Sequence, residues 1–441
     1  MSTLTVLVNR TSIREAFGPR FPQHSLLRVE GAAVRRNGIP MSVRVLYLLF
    51  VFTLPLDAAE LSFLSNYLTV AKIFGLLFFA SYVFHYCSPL SRRKSPFPPS
   101  AVWWFLGYVA IYGLNGLFME QLDRQFFHRL LTLIQLVVFL QFSSSLLQNE
   151  RLTRDALLAY SLAAVLVALT ILAGVSTVAP DVDAERLSAL GEDPNNQAVV
   201  LAIGALMLIG LRLGRNCQFP GSRVLLPSLL LPLLAAIVYT GSRTGLSTLI
   251  VGTLPCLLLS RARAKITAVA LVIPTLFAVI YFAASHQVSA HRWNLTFEEG
   301  NLARRDKIFA SAIEMIAERP LFGWHPVELW DELGRRTKTL WKTMDAHNLY
   351  LHLLLEVGVV GAFPFFVGLW LCTRAAWKGR AGYLGPLPLA LLLAILAGNV
   401  ALTWLARKPM WFVLALCLAA GARTAFSDSG EARLEAVKGS M

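Results

Sequence analysis

The chain is short of charge. Only 15% of its 441 residues are Asp, Glu, Lys or Arg, against about 25% in a soluble domain, while 56% are hydrophobic and the mean hydropathy is +0.58. That excludes the two or three soluble domains that length alone would suggest. Alternation of apolar and polar residues is also missing. The apolar runs are continuous over about 20 residues, which rules out a β-barrel and leaves a bundle of spanning helices. Acidic residues are scarcer than basic ones, 26 against 40. The resulting excess sits in small clusters between apolar runs and not along one face, so it reads as a topology signal and no nucleic-acid partner is expected.

Other absences narrow the chemistry. Five cysteines give no disulfide framework: Cys256 and Cys417 fall inside apolar runs, and Cys87, Cys217 and Cys372 fall at or near ends assigned to the cytoplasm, so they are expected to be reduced and inert. Residues 1 to 40 hold Arg10, Arg14, Arg20, Arg28, Arg35 and Arg36 against Glu15 and Glu30, with no apolar core and no small-residue cleavage site. The reading is a basic cytoplasmic tail before a signal anchor; a basic transit peptide is the competing one. There is no Walker A loop, no GxSxG elbow, no HExxH and no Cys/His metal spacing. His24, His85, His128, His286, His291 and His325 are scattered, and neither a metal nor a cofactor is expected.

What is present is a run of about twelve apolar segments, near 42–56, 66–87, 101–119, 126–147, 156–178, 196–212, 224–240, 244–260, 266–285, 347–372, 384–404 and 408–424. The expected fold is an all-α integral membrane protein. Its parts are a tail over 1–40, nine spans over 41–285, a long outer loop over 286–346, three spans over 347–424 and a cytoplasmic tail over 425–441. Threading from an inside N-terminus puts Arg92-Arg93-Lys94, Arg151 and Arg154, Arg212-Arg215-Arg223, Arg261-Arg263-Lys265 and Arg374-Lys378-Arg380 in the cytoplasm. Asp57, Glu60, Glu120, Asp123, Asp181, Asp183, Glu185, Glu192 and Asp193 then lie outside. This obeys the positive-inside rule and makes both termini cytoplasmic.

The loop over 286–346 differs from the others. It balances nine Lys/Arg with nine Asp/Glu and is rich in Trp, Phe and Ile, too long for a linker and too apolar for disorder. Within it, "RRDKIFASAIEMIAERP" (304–320) sets Ile308, Phe309, Ala312, Ile313 and Ile316 at helical spacing. An amphipathic helix lying on the membrane surface as a lid is expected, ending at Arg319-Pro320. No internal repeat is visible, which disfavours an inverted-repeat transporter.

Several outward residues are candidates for chemistry. "YTGSRTGL" (239–246) puts Arg243 in a very short outer hairpin, where Gly241 and Gly245 allow close backbone approach and Ser242 and Thr244 add hydroxyl donors. The long loop adds Arg304 and Arg305. Guanidinium forks match phosphate oxygens and stay charged, as a diphosphate leaving group requires; a headgroup snorkel for Arg243 and a solvated charge run for the loop pair are the alternatives. "MDAHNLYLHLLLEVGVVG" (344–361) opens with Asp345, His347 and Asn348. An imidazole at the mouth of a span suits a general base reachable from both lipid and water, against a purely structural histidine with Asp345 and Asn348 as helix caps. His352 and Glu356 lie one turn apart on the same helix, where a structural contact is the preferred reading. Lys72, in the second span, either snorkels outward or binds anionic lipid. "EDPNNQA" (192–198) caps the sixth helix, and Asn195 there could contact sugar hydroxyls.

Taken together, "GSRTGL", "RRDKIFASAIEMIAERPLFGW" and "AHNLYLHLLLEVGVVG" resemble the O-antigen ligase and polymerase superfamily of bacterial inner-membrane glycosyltransferases, most strongly over residues 190 to 372. The resemblance implies a metal-independent, inverting enzyme on a GT-C-like helical bundle. It also implies an undecaprenyl-diphosphate-linked glycan donor, a lipid A–core or glycan acceptor among the membrane lipids, and an active site facing the periplasm. Arg243 matches the family's turn arginine and His347 its loop-end histidine. Arg305 matches the loop arginine four residues before an aromatic, here Phe309 where Trp is common, and the adjacent Arg304 leaves that assignment open by one residue. Protein O-glycosylation is a third possible activity within the resemblance, and a twelve-helix transporter is the alternative outside it.

Overall fold

The computed structural model describes residues 39–57, 69–87, 99–117, 124–175, 177–179, 186–214, 221–299, 305–325, 328–337 and 343–439. Over these residues the apolar runs are helices. They are α1 (Met41–Thr53), α2 (Val70–Tyr82), α3 (Ser100–Gly116), α4 (Arg124–Leu146), α5 (Glu150–Leu172), α6 (Pro194–Leu213), α7 (Ser222–Tyr239), α8 (Arg243–Leu259) and α9 (Ala262–Ser285). After them come α10 (Gln287–Glu299), α11 (Arg305–Glu318), α12 (Glu328–Thr337), α13 (Leu349–Gly379), α14 (Leu387–Gly398) and α15 (Lys408–Gly439). A ribbon of β1 (Thr177–Ala179) and β2 (Arg186–Ser188) pairs antiparallel with Val178 opposite Leu187. Among the described residues α4, α5, α6, α13 and the stretch Ala264–Ser285 of α9 are long and apolar enough to cross a membrane, and α1, α2, α8, α14 and most of α7 are shorter apolar helices. The protein is an all-α membrane protein, as the hydropathy predicts.

α6 is the axis of the bundle. From Gln197 to Leu211 nearly every side chain is buried, with α5, α7, α8 and α14 around it. Lipid-like packing gives no hydrophobic drive between spans, so small residues set the approach. A Cβ on Gly245 would come within 2.4 Å of Ala198 Cβ, and one on Gly252 within 2.3 Å of Leu206 and 2.9 Å of Ala394. These contacts seat α8 in the seam between α6 and α14. α9 is peripheral and presents Ile266, Ile273, Phe277 and Ile280 outward.

The helices differ from the hydropathy reading in several places. The tenth span, placed at 347–372, begins at Leu349 and runs to Gly379, so Cys372 is buried inside it and not at its end. It is also two half-helices. Gly358 breaks it at φ 63° and ψ −171°, a region open to glycine, and the 320–324 segment fills the break. The Val359 and Val360 amides donate to the Pro320 and Leu321 carbonyls at 2.8 and 3.1 Å, and the Trp324 amide donates to the Leu355 carbonyl at 2.7 Å. A broken span survives because another segment satisfies its freed backbone groups.

The long loop holds three helices among the described residues, and α11 packs one face on protein. Its buried face is Ile308, Ala312 and Met315, packed with Leu329 and Leu333 of α12 and Leu355 of α13, while Ile313 points outward. A helical stripe fits a protein partner as well as a bilayer, and here the partner is the first half of α13. Beyond residue 425, α15 continues as helix to Gly439. β1 begins at Thr177, within the run assigned to the fifth span, whose helix stops at Leu172.

Candidate active site

Gly241 makes the turn between α7 and α8, at φ 59°. It lets Ser242 cap α8, its hydroxyl accepting from the Gly245 amide at 3.1 Å and donating to Asn195 Oδ1 at 3.1 Å. Arg243, the first residue of α8, then leans across to α10, donating to the Arg292 carbonyl at 3.2 Å and to the Thr296 hydroxyl. Arg292 and Thr296 are one turn apart, so α10 offers both on one face.

Arg186 of β2 is buried against the same turn. It donates to the Thr240 carbonyl at 3.1 Å and to Asn195 Oδ1 at 2.8 Å. Asn195 is itself fixed at the start of α6, where Asp193 caps its amide at 2.9 Å. Arg305, the first residue of α11, completes the group: Arg243 lies in the repulsive field of Arg292, Arg305 and Arg186. Burial pushes Arg305 below the usual arginine range; Asp193 opposes the shift, and Arg292 and Arg186 add to it. Guanidinium stays protonated regardless, and its fork suits the oxygens of an anion. The amide ends of α8 face the same way.

His347 lies at the tip of α13 in a left-handed backbone at φ 45°, uncommon for a residue with a Cβ and a frequent mark of functional sites. It is held from the next residue onward. Asn348 caps α13, accepting from the Tyr350 and Leu351 amides at 2.9 and 3.1 Å and donating to the Val400 carbonyl at 3.1 Å. The Leu349 amide donates to the Asn399 carbonyl at 2.9 Å.

The end of α14 joins this tip to the arginine side. A Cβ on Gly398 would lie 3.0 Å from the Thr248 hydroxyl of α8 and 3.5 Å from Val199 of α6. Trp404 closes the link, its amide donating to Asn399 at 2.9 Å and its indole to Asn196 at 2.7 Å. His347, Asn348, Asn195, Ser242, Arg243 and Arg305 therefore occupy one end of the bundle.

Beneath His347 runs a buried polar chain. Asp345 accepts from the Thr403 hydroxyl at 3.0 Å and faces His352 Nδ1 at 3.6 Å, so Asn348 is the cap of α13 and Asp345 is not. His352 Nε2 lies 3.6 Å from Glu356, the contact expected from their spacing. Glu356 is fully buried, accepts from the Tyr108 hydroxyl at 3.1 Å and pairs with Arg129 at 3.5 Å. Arg129 also stacks over Trp330 of α12, 3.4 Å from the ring centroid. Asn115 of α3 donates to the Phe322 carbonyl at 2.9 Å and to the Glu356 carbonyl at 3.1 Å. Through these bonds α3 and α4 clamp both the broken span and the outer helices. Asp345 and Glu356 sit at opposite nitrogens of His352, a chain and not a cage; among the described residues no three His, Cys, Asp or Glu side chains form a metal-ligand group.

One expected residue falls elsewhere. Lys72 lies in the first turn of α2, lining a separate cavity of about 410 Å³ between α1, α2 and α4. Arg304 lies outside the described residues. Sequence reasoning missed Arg186, Arg292 and Arg129. The first two stand in polar loop sequence with nothing local to distinguish them; Arg129 carried a signal, as a charge inside the apolar run 126–147.

Residues 228–366 match the family model described as O-antigen ligase, a span that contains Ser242, Arg243, Arg305, His347 and Asn348. The match supports the superfamily of O-antigen ligases and polymerases and a multi-pass bacterial membrane enzyme. No curated protein matches the chain.

Proposed function

With an O-antigen ligase domain over residues 228–366 as premise, we propose that the chain transfers a glycan from an undecaprenyl-diphosphate carrier to lipid A–core at the periplasmic face of the inner membrane. About twelve spans with both termini in the cytoplasm would put the arginine cluster and His347 on that face, which the loop charges favour. The observation that carries the reading is the packing of Arg186 and Arg243 about Asn195 and the α7–α8 turn, at the end of the bundle where His347 precedes the Asn348 cap of α13.

In this scheme the acceptor hydroxyl oxygen attacks the anomeric carbon from the face opposite the diphosphate, and the configuration inverts. His347 takes the hydroxyl proton, and the C1–O bond electrons leave with the lipid diphosphate. Charge develops on the departing phosphate oxygens, where guanidinium forks stabilise the transition state more than the ground state. The lipid diphosphate already activates the sugar, so the scheme needs no nucleotide and no metal.

The test is transfer from undecaprenyl-diphosphate glycan to purified lipid A–core in detergent with EDTA, wild type beside His347→Ala. Product formed by the wild type and abolished in the variant supports a ligase. Longer lipid-linked chains with no product on lipid A–core make the enzyme a polymerase. No turnover of any lipid-linked glycan refutes the transferase reading and favours a transporter.

A further inference from the structure

We propose that His352 is a positioning residue for the base His347, and that it acts as an imidazolium clasped between the Asp345 and Glu356 carboxylates. The inference rests on the transferase reading above and adds to it what holds the base in its strained backbone.

His347 stands between two anchors. Before it, Asp345 accepts from the Thr403 hydroxyl at 3.0 Å, and Ala346 is fully buried among side chains of α11 and α12. After it, Asn348 donates to the Val400 carbonyl at 3.1 Å and the Leu349 amide donates to the Asn399 carbonyl at 2.9 Å. A left-handed residue with a Cβ, here at φ 45°, persists where flanking contacts over-determine it. The second anchor is part of the helix start, whereas the first depends on one carboxylate. Asp345 keeps 40% of its side chain exposed, so Thr403 and the His352 ring, with Nδ1 at 3.6 Å, are what draw it inward.

A count of donors decides the state of His352. Its ring is 3% exposed, with Asp345 3.6 Å from Nδ1 and Glu356 3.6 Å from Nε2. A neutral imidazole has one N–H and one lone pair. Either tautomer therefore turns a lone pair on one carboxylate, and only the imidazolium offers a donor to both. Among the described residues, His352 Nδ1 and Glu356 Oε1 have no hydrogen-bond partner that competes for them. The surrounding charges agree. Fully buried Glu356 pairs with Arg129 of α4 at 3.5 Å and accepts from the Tyr108 hydroxyl of α3 at 3.1 Å; Tyr112 of α3 and Trp330 of α12 stand beside Arg129 without charge. Two carboxylates thus face one guanidinium, and an imidazolium at His352 makes the group neutral, as charges inside a span require.

The sign of the pH dependence follows. The clasp holds while His352 is protonated and opens as pH rises through its titration. His347 works in the opposite sense, since it must be unprotonated to take the acceptor's proton. Transfer is therefore bell-shaped in pH, and the alkaline limb belongs to His352.

The experiment is solid-state nitrogen NMR of the full chain, isotopically labelled at histidine, in phosphatidylcholine bilayers. The two signals are assigned by their loss in His352→Gln and His347→Ala. Between about pH 5 and about pH 9, His352 should show both ring nitrogens protonated at the acid end, pass to a neutral ring as pH rises, and carry the His347 signal with it. In Asp345→Asn that coupling should vanish. A single neutral tautomer at His352 throughout, or a His347 signal indifferent to both His352→Gln and Asp345→Asn, would overturn the proposal whether or not the protein transfers glycan. Turnover gives the second reading. His352→Gln should lower kcat about tenfold or more, leave KM for the lipid-linked donor near the wild-type value and lose the alkaline limb. Retention of that limb in His352→Gln would sink the clasp and leave the transferase reading intact; a coupled imidazolium in a wild type that transfers no glycan would do the reverse.

Discussion

Arg243 is held by its own geometry: two of its donors' partners, the Arg292 carbonyl and the Thr296 hydroxyl, belong to α10, and its charge opposes three other arginines. A lysine keeps the charge and loses the fork. Arg243→Lys is expected to lower kcat/KM by about 10- to 100-fold, the worth of one charge-assisted bond of about 1.5–3 kcal/mol; an unimpaired lysine variant would show that bidentate geometry is irrelevant. Glu356 gives a second residue-level expectation. Removing its cation partner leaves a carboxylate with no exposed surface, which costs about 3–5 kcal/mol for a buried pair. Thermal unfolding of Arg129→Met should therefore fall by several degrees, and adding Glu356→Gln should recover part of the loss; equal stability in all three proteins would mean the clamp is idle. At this scale the sequence offered Ser242, Arg243, Arg305, His347 and Asn348 as candidates because each stands in a local pattern. It hid Arg186 and Arg292, which reach the site only through chain folding, and it left Asp345 as a helix cap because spacing alone cannot tell a cap from a partner of His352.

Among the elements, hydropathy placed the apolar helices well because burying a backbone in lipid demands long apolar runs with internal hydrogen bonds. It could not show the break in α13, since "EVGVVG" is as apolar as an unbroken span and the cause, φ 63° at Gly358, is a matter of backbone angle. A Cβ there would meet the Leu321 carbonyl carbon at 2.3 Å. Gly358→Ala is expected to unseat the 320–324 segment, seen as faster amide exchange at Trp324 and Val359; unchanged protection would contradict the inserted-loop account. The outer helices carry a pH expectation. Arg336 grips Glu318 through two bonds of 2.6 and 2.7 Å and Glu332 through one of 2.7 Å. The bond to Arg336 holds the Glu318 carboxyl below the usual carboxylate range. A lowered acid contributes stability that is present above its unfolded value and is lost as pH falls through its folded one. Spin labels on α11 and α12 should therefore stay at a fixed distance down to about pH 4 and separate below it, and Arg336→Ala should show the wider spread already at neutral pH. A fixed distance throughout would remove the bridge from the account.

For the whole molecule, a buried α6 gathers α5, α7, α8 and α14, and one end of that bundle collects arginines from four separated stretches of chain. Composition foretold the membrane helices, but the pairing of α11 with α13 depends on tertiary packing that no local pattern encodes. The central claim is that this end holds a lipid diphosphate for transfer. Its most direct test is the affinity of the purified protein for undecaprenyl diphosphate against undecaprenyl monophosphate, in wild type, Arg243→Met, Arg305→Met and His347→Ala. The account predicts preference for the diphosphate, a loss of roughly tenfold or more in each arginine variant, and near-normal binding without transfer in His347→Ala. Equal affinity for both lipids, or diphosphate binding indifferent to both arginines, would contradict it.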